Sequence, residues 1–244
     1  SIESLISQSH ISKGGFVVLP EMTTTGFSMD IDVVSQGDSV RWACNLASKH
    51  EIWVQVGWVK RQGERTSNCV SICSPQGNVI TTYEKVFTCN PFGENKLIDN
   101  GDEIVIVEIE GRKICPMICY DLRFPELWRL ASLAGADVFT TSANWPLKRI
   151  KSWTSLLIAR AIENQAQVIG ANRVGQDSVA HWGGSSIAIS EEGVILANTD
   201  EVSQVCVGAT FEKSSVDAWR SEFKALQDTN RSLLGNIEVR HIKA

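Results

Sequence analysis

The chain has 244 residues, with 23 Lys and Arg against 28 Asp and Glu, a formal charge of −5 and 43% hydrophobic residues. That balance is that of a globular protein, not a disordered or fibrous one, and one domain spanning residues 1–244 is expected at this length. The acidic charge without a long basic run argues against a nucleic-acid partner, and no apolar stretch reaches the roughly 20 residues of a membrane helix.

In chain order, Ser1 to Lys13 sets Ile2, Leu5, Ile6 and Ile11 at helical spacing ahead of Gly14-Gly15, so a helix stopped by glycine is expected. Phe16 to Leu19 is a short apolar run closed by Pro20, the pattern of a strand buried on both faces. Gly37 to His50 reads as a helix and Ile52 to Val59 as a strand. Thr66 to Ser74 and Val79 to Lys85 flank a Pro75-Gln76-Gly77-Asn78 turn, and Glu103 to Ile109 and Arg112 to Ile118 flank Glu110-Gly111, which predicts two hairpins. After Cys119 a tight turn leads to a helix over Phe124 to Ala134 with Pro125 in its first turn, then a strand over Asp137 to Thr141. A helix over Ile150 to Gln165 and strands at Val168 to Ala171, Ser185 to Ser190, Val194 to Ala197 and Val205 to Phe211 follow, before a helix over Lys213 to Leu226. Hairpins inside a helix–strand alternation predict an α/β protein with mixed sheets.

Seven cysteines, at 44, 69, 73, 89, 115, 119 and 206, are an odd number in a chain large enough to fold without covalent staples. Reduced thiols and a cytoplasmic location are expected, and the N-terminus shows no charged segment leading into an apolar signal core. Cys69/Cys73 and Cys115/Cys119 are four apart, but His10, His50, His181 and His241 are too scattered to complete a zinc site, so no metal is assigned. Trp145, Trp153 and Trp182 line a pocket or an interface, or simply pack, and packing is the default for large aromatics.

Three positions suggest chemistry. Cys119 ends a buried strand just upstream of a helix, whose positive end favours a thiolate; the plain alternative is a small core hydrophobe. Glu21 follows an apolar strand and Pro20, where an α/β fold places its site, and is either a general base or a solvated loop residue. Lys85 ends an alternating strand with Thr81 and Tyr83 on the same face; it either stabilises an oxyanion or is an exposed strand end.

Leu19-Pro20-Glu21-Met22, Tyr83-Glu84-Lys85 and Cys119-Tyr120-Asp121-Leu122-Arg123-Phe124-Pro125-Glu126 occur in the order and spacing of the carbon–nitrogen hydrolase (nitrilase) superfamily. The likeness continues through Ser142-Ala143-Asn144-Trp145-Pro146 and Ala159 to Gln165 to Gly170-Ala171-Asn172-Arg173-Val174-Gly175, and so covers nearly the whole chain. Within that superfamily the sequence most resembles the ω-amidases, which hydrolyse 2-oxoglutaramate and 2-oxosuccinamate. The resemblance implies a four-layer α-β-β-α sandwich, a homodimer, a small amide substrate and no metal or organic cofactor. It also implies Glu21 as general base, Lys85 and the Tyr120 backbone N–H as oxyanion stabilisers, Cys119 as nucleophile and Glu94 as a second glutamate holding the lysine. Asn144 and Trp145 are expected beside the nucleophile. Arg123 either clamps a substrate carboxylate or pairs with Glu126 three residues on, and the pair is the favoured reading.

The chain departs from the family in two ways. Phe87-Thr88-Cys89 stands where His-Leu-Phe is common, which alters a wall near the site. Relatives also carry a first strand upstream of the position of Ser1, so the domain is expected to be N-terminally short and to lack that strand. The rival functions are another amidase or an N-carbamoyl amino acid hydrolase, an inactive truncated member, and a non-catalytic dimerising or binding protein.

Overall fold

The computed structural model describes residues 1–233, so His241 lies outside the described residues. The first half of the chain supplies α1 (Ile2–Gln8), β1 (Phe16–Val18), α2 (Ile31–Val34), α3 (Ser39–His50), β2 (Trp53–Gln62), β3 (Arg65–Cys73) and β4 (Val79–Glu84). Their strands form a sheet in the order β1-β2-β3-β4, with β1 parallel to β2 and the other pairs antiparallel. Asp38 starts α3 by accepting the Arg41 N–H at 2.9 Å, and Glu51 in the left-handed conformation ends it.

The second half supplies β5 (Val107–Ile109), β6 (Arg112–Ile118), α4 (Pro125–Leu133), β7 (Val138–Ala143), α5 (Ile150–Asn164), β8 (Gln167–Asn172), β9 (Val174–Gln176), β10 (His181–Gly183), β11 (Ile187–Ile189), β12 (Ile195–Asn198) and α6 (Lys213–Glu222). Six of these strands form a mixed sheet in the order β12-β11-β8-β7-β6-β5, while β9 and β10 pair apart from it. β6, β7 and β8 run parallel through crossovers carrying α4 and α5, and β5 and β11 are antiparallel to their neighbours.

Apolar periodicity explains the layers. Ile6 of α1 and Ala43, Leu46 and Ala47 of α3 cover Val54, Val56 and Cys73 on the outer face of the first sheet. Leu127, Trp128 and Ala131 of α4 and Trp153, Leu157 and Ala161 of α5 cover Phe139, Val168 and Ile189 of the second. Between the sheets, Ile72 packs with Ile114 and Val138, and Val70 and Tyr83 join the cluster around Met117. The result is the expected α-β-β-α sandwich.

A polar bolt crosses that apolar interior. Gln55 of β2 donates to Ser142 Oγ at 3.0 Å and accepts from Thr140 Oγ1 at 2.6 Å, and Ser142 Oγ donates to the Leu19 carbonyl at 2.7 Å. It fixes the end of β1 against the end of β7, the two strand ends that carry Glu21 and Asn144.

Several element expectations are corrected. Val205 to Phe211 forms no strand: Val205 is exposed and no neighbouring strand presents a ladder, while Phe211 alone turns into the inter-sheet cluster, its carbonyl accepting from Arg112 at 3.1 Å. The strand over Glu103 to Ile109 shrinks to its last three residues, and that over Ser185 to Ser190 to Ile187–Ile189, after a left-handed Ser185. The first helix ends at Gln8 and the last at Glu222. The pairing of β2 with β3, the β9–β10 hairpin and the single turn of α2 were not anticipated.

Candidate active site

The ends of β1 and β4 and the loop after β4 bring three charged side chains together in the interior. Lys85 Nζ lies 2.8 Å from Glu21 Oε1 and 2.8 and 3.1 Å from the two oxygens of Glu94, and all three residues are at most 1% exposed. Glu21 and Lys85 are therefore not a solvated loop glutamate and an exposed strand-end lysine. Asn68 of β3 joins the carboxylates, donating through Nδ2 to Glu21 Oε1 at 2.8 Å and Glu94 Oε1 at 2.7 Å. Two acceptors on one nitrogen fix the orientation of that amide. The Cys89 N–H donates to Glu94 Oε2 at 2.6 Å, so the altered Phe87-Thr88-Cys89 segment still anchors this glutamate.

Asn144, just past β7, ties the cluster to the thiol. Its N–H donates to Glu21 Oε2 at 3.0 Å and its Nδ2 to the Glu21 carbonyl at 2.7 Å, while its own carbonyl receives the Cys119 thiol at 3.9 Å. Its Oδ1 is buried with no hydrogen-bond partner among the described residues. Cys119 opens a 3₁₀ turn over Cys119–Arg123 with φ of +41°, a left-handed corner costing about 1–3 kcal/mol for a residue with a side chain. The corner aims the thiol out of the strand direction, toward a cavity of about 270 Å³.

Asp121 and Arg160 hold the corner. Asp121 accepts from Tyr83 Oη at 2.8 Å, the Ile118 N–H at 3.1 Å and the Phe87 N–H at 2.9 Å, and Arg160 of α5 donates to the Leu122 carbonyl at 2.8 Å. Burial raises the Asp121 carboxyl to about 6, against the Lys85 ammonium and those three donors.

The electrostatics make a resting thiol. Burial first, and the Glu21 carboxylate next, push Cys119 well above its ordinary range, with Lys85 opposing. The expected thiolate at a helix N-terminus is thus corrected: α4 begins only at Pro125, past the turn, and burial dominates. Burial alone lowers Lys85, but the Glu21 and Glu94 carboxylates and Cys119 outweigh it and hold the ammonium well above its usual value. With two carboxylates around one ammonium, moving the thiol proton to Glu21 leaves the formal charge of the cluster unchanged.

Cys119, Tyr120, Arg123, Asn144 and Trp145 all line the cavity. The favoured Arg123–Glu126 pair does not form; the Arg123 guanidinium lies 4.7 Å over the Trp145 ring instead. Trp153 and Trp182 are fully buried and pack, as their default predicts. Among the described residues no group of three His, Cys, Asp or Glu side chains is placed to hold a metal ion.

The carbon-nitrogen hydrolase family model matches residues 2–221. The chain belongs to the carbon–nitrogen hydrolase family. It is 36% identical over 217 residues to the omega-amidase YafV of Escherichia coli K12, covering 88% of this chain and 84% of that protein. It is 36% identical over 186 residues to the 2-oxoglutaramate amidase of Bacillus subtilis, covering 74% and 72%. The carbon–nitrogen hydrolase superfamily protein XC1258 of Xanthomonas campestris, solved with an arsenic adduct in its active site, superposes with a TM-score of 0.86 at 29% identity, covering 94% of this chain and 89% of that one. This carbon–nitrogen hydrolase is an amidase with ω-amidase-like sequence.

Asn68, Asp121 and Arg149 of this hydrolase had no role in the sequence reading. Asn68 had one usable signal: it ends a polar run, Thr66-Ser67-Asn68, at the start of a strand expected from the sequence.

Proposed function

We propose that this carbon–nitrogen hydrolase cleaves the terminal amide of small dicarboxylic acid monoamides, 2-oxoglutaramate and 2-oxosuccinamate, releasing ammonia. The observation that carries the reading is the buried Glu21–Lys85–Glu94–Asn68 cluster behind Cys119, which itself lines a cavity walled by Arg123 and, among the described residues, by no carboxylate. A cationic wall suits a substrate whose far end is an anion. The names of the Escherichia coli and Bacillus subtilis relatives point the same way.

Glu21 takes the Cys119 proton as sulfur attacks the amide carbonyl, and Lys85 with the Tyr120 N–H stabilises the oxyanion of the tetrahedral adduct. Collapse breaks the carbon–nitrogen bond, and Glu21 returns the proton to the departing ammonia. Water, deprotonated by Glu21, then attacks the thioester; the carbon–sulfur bond breaks and the sulfur recovers its proton. One amide and one water become one acid and one ammonia. Glu94 and Asn68 hold the lysine and the base in place. The seven free cysteines suit a reducing cytoplasm, and a homodimer is part of the same proposal.

The test is ammonia release from 2-oxoglutaramate, succinamate and N-carbamoyl amino acids. The 2-oxo acid amide should be the best substrate, and Cys119→Ala should lower kcat by at least about a thousandfold. Preference for a carbamoyl compound would move the assignment to that class, and turnover surviving in Cys119→Ala would remove the nucleophile.

A further inference from the structure

The cavity carries a second arginine with no assigned task. Arg149 ends a 3₁₀ turn over Leu147–Arg149, just before α5, and its guanidinium lies 5.5 Å over the Phe92 ring. Arg112, Arg160 and Arg220 spend their guanidinium donors on protein acceptors. Arg123 and Arg149, both half-buried on the cavity wall, make no side-chain hydrogen bond or ion pair among the described residues and rest on aromatic faces.

One side chain sets both. The Trp145 ring carries the Arg123 guanidinium at 4.7 Å, while its indole N–H donates to the Arg149 carbonyl at 3.0 Å, a carbonyl that also receives Ser152 Oγ at 2.8 Å. Trp145 is 3% exposed, so this brace does not move freely with solvent. Two donor-rich planar cations with open hydrogen-bonding edges are thereby presented to one small cavity. The site's carboxylates, Glu21 and Glu94, are turned inward onto Lys85.

We propose that Arg149 is a specificity-determining residue that, with Arg123, grips the far carboxylate of the substrate and its neighbouring 2-oxo oxygen, and rejects the 2-ammonium analogue. The inference rests on the ω-amidase reading above and adds to it the residue that separates an oxo acid amide from an amino acid amide. A carboxylate beside a carbonyl offers acceptors to both guanidinium forks. Glutamine, with the same carbon chain, brings an ammonium between two cations and finds no acid among the described wall residues to answer it.

The experiment measures kcat and KM of the wild type, Arg149→Gln and Arg149→Lys on 2-oxoglutaramate, glutaramate, glutamine and butyramide. Arg149→Gln should raise KM for 2-oxoglutaramate about 10- to 100-fold, with most of the change in KM and little in kcat. The ratio of kcat/KM for 2-oxoglutaramate over butyramide should fall by the same factor, the handicap of glutamine should narrow, and Arg149→Lys should recover part of the loss. Calorimetric binding of 2-oxoglutarate should weaken in parallel. An unchanged ratio or an unchanged Kd overturns the assignment, as does an equal loss on butyramide, which marks a structural role. Wild-type enzyme indifferent to the carboxylate overturns the ω-amidase reading and this inference together. An acid-selective wild type with an indifferent Arg149→Gln overturns this inference alone.

Discussion

Asp121 stands two residues past Cys119 and reaches back across its corner, taking N–H groups from Ile118 on one side and Phe87 on the other. Holding that carboxylate in the interior raises it from 3.8 to about 6. A raised carboxyl binds its proton more tightly folded than unfolded, so this group's contribution to stability is largest below about pH 4 and is lost as pH climbs through 6. The difference amounts to about 3 kcal/mol. Asp121→Asn removes that dependence. Denaturation of both proteins from pH 4 to 7 should show the wild type losing ground to the variant as pH rises; a constant gap would mean that Asp121 is ionised throughout. The acid, amine and thiol were legible only through three family motifs in register, since each residue taken singly had a plain structural alternative. Asn68 and Arg149 were not, since a buried asparagine and a surface-type arginine look alike in sequence whether they pack, cap or bind.

Gly57 in β2 exists because two backbones meet there. A Cβ on it would stand 2.7 Å from Glu21 Cα, the Met22 N and the Pro20 carbonyl, all main-chain atoms that cannot swing aside. Gly57→Ala should therefore displace the turn carrying Glu21, lowering stability by about 1–3 kcal/mol and kcat by tenfold or more. Thermal melting and ammonia release measure the two effects, and an alanine variant with wild-type kcat would show that the turn has slack. Elements with strong periodicity, such as α3 and α5, were legible in nearly their full extent. Val205 to Phe211 was not, because alternation records only which side chains can face inward and says nothing of whether a neighbouring strand has an open edge to accept them. The β9–β10 hairpin was hidden for the opposite reason: three-residue strands are too short to show a period.

At the scale of the whole molecule, the two sheets divide the chemistry between them. Glu21, Asn68, Lys85 and Glu94 come from the first sheet and its loops, and Cys119, Arg123, Asn144 and Arg149 from the second. Gln55 bonds both Ser142 and Thr140 across the gap, so Gln55→Leu leaves polar groups stranded between the layers and should cost about 1–3 kcal/mol in chemical denaturation. Stability equal to wild type would show that the crossing bonds only fill space. The layered arrangement was legible through the resemblance. The bolt was not, because Gln55 and Ser142 are 87 positions apart and only the packed sheets reveal their partnership.

The left-handed corner at Cys119 has a consequence for the protein's evolution as well as its chemistry. Its φ of +41° is a conformation that glycine adopts without strain and cysteine does not. Cys119→Gly should therefore release the strain of the corner while taking away its thiol, so a lineage that no longer needs that thiol gains backbone ease from one nucleotide change.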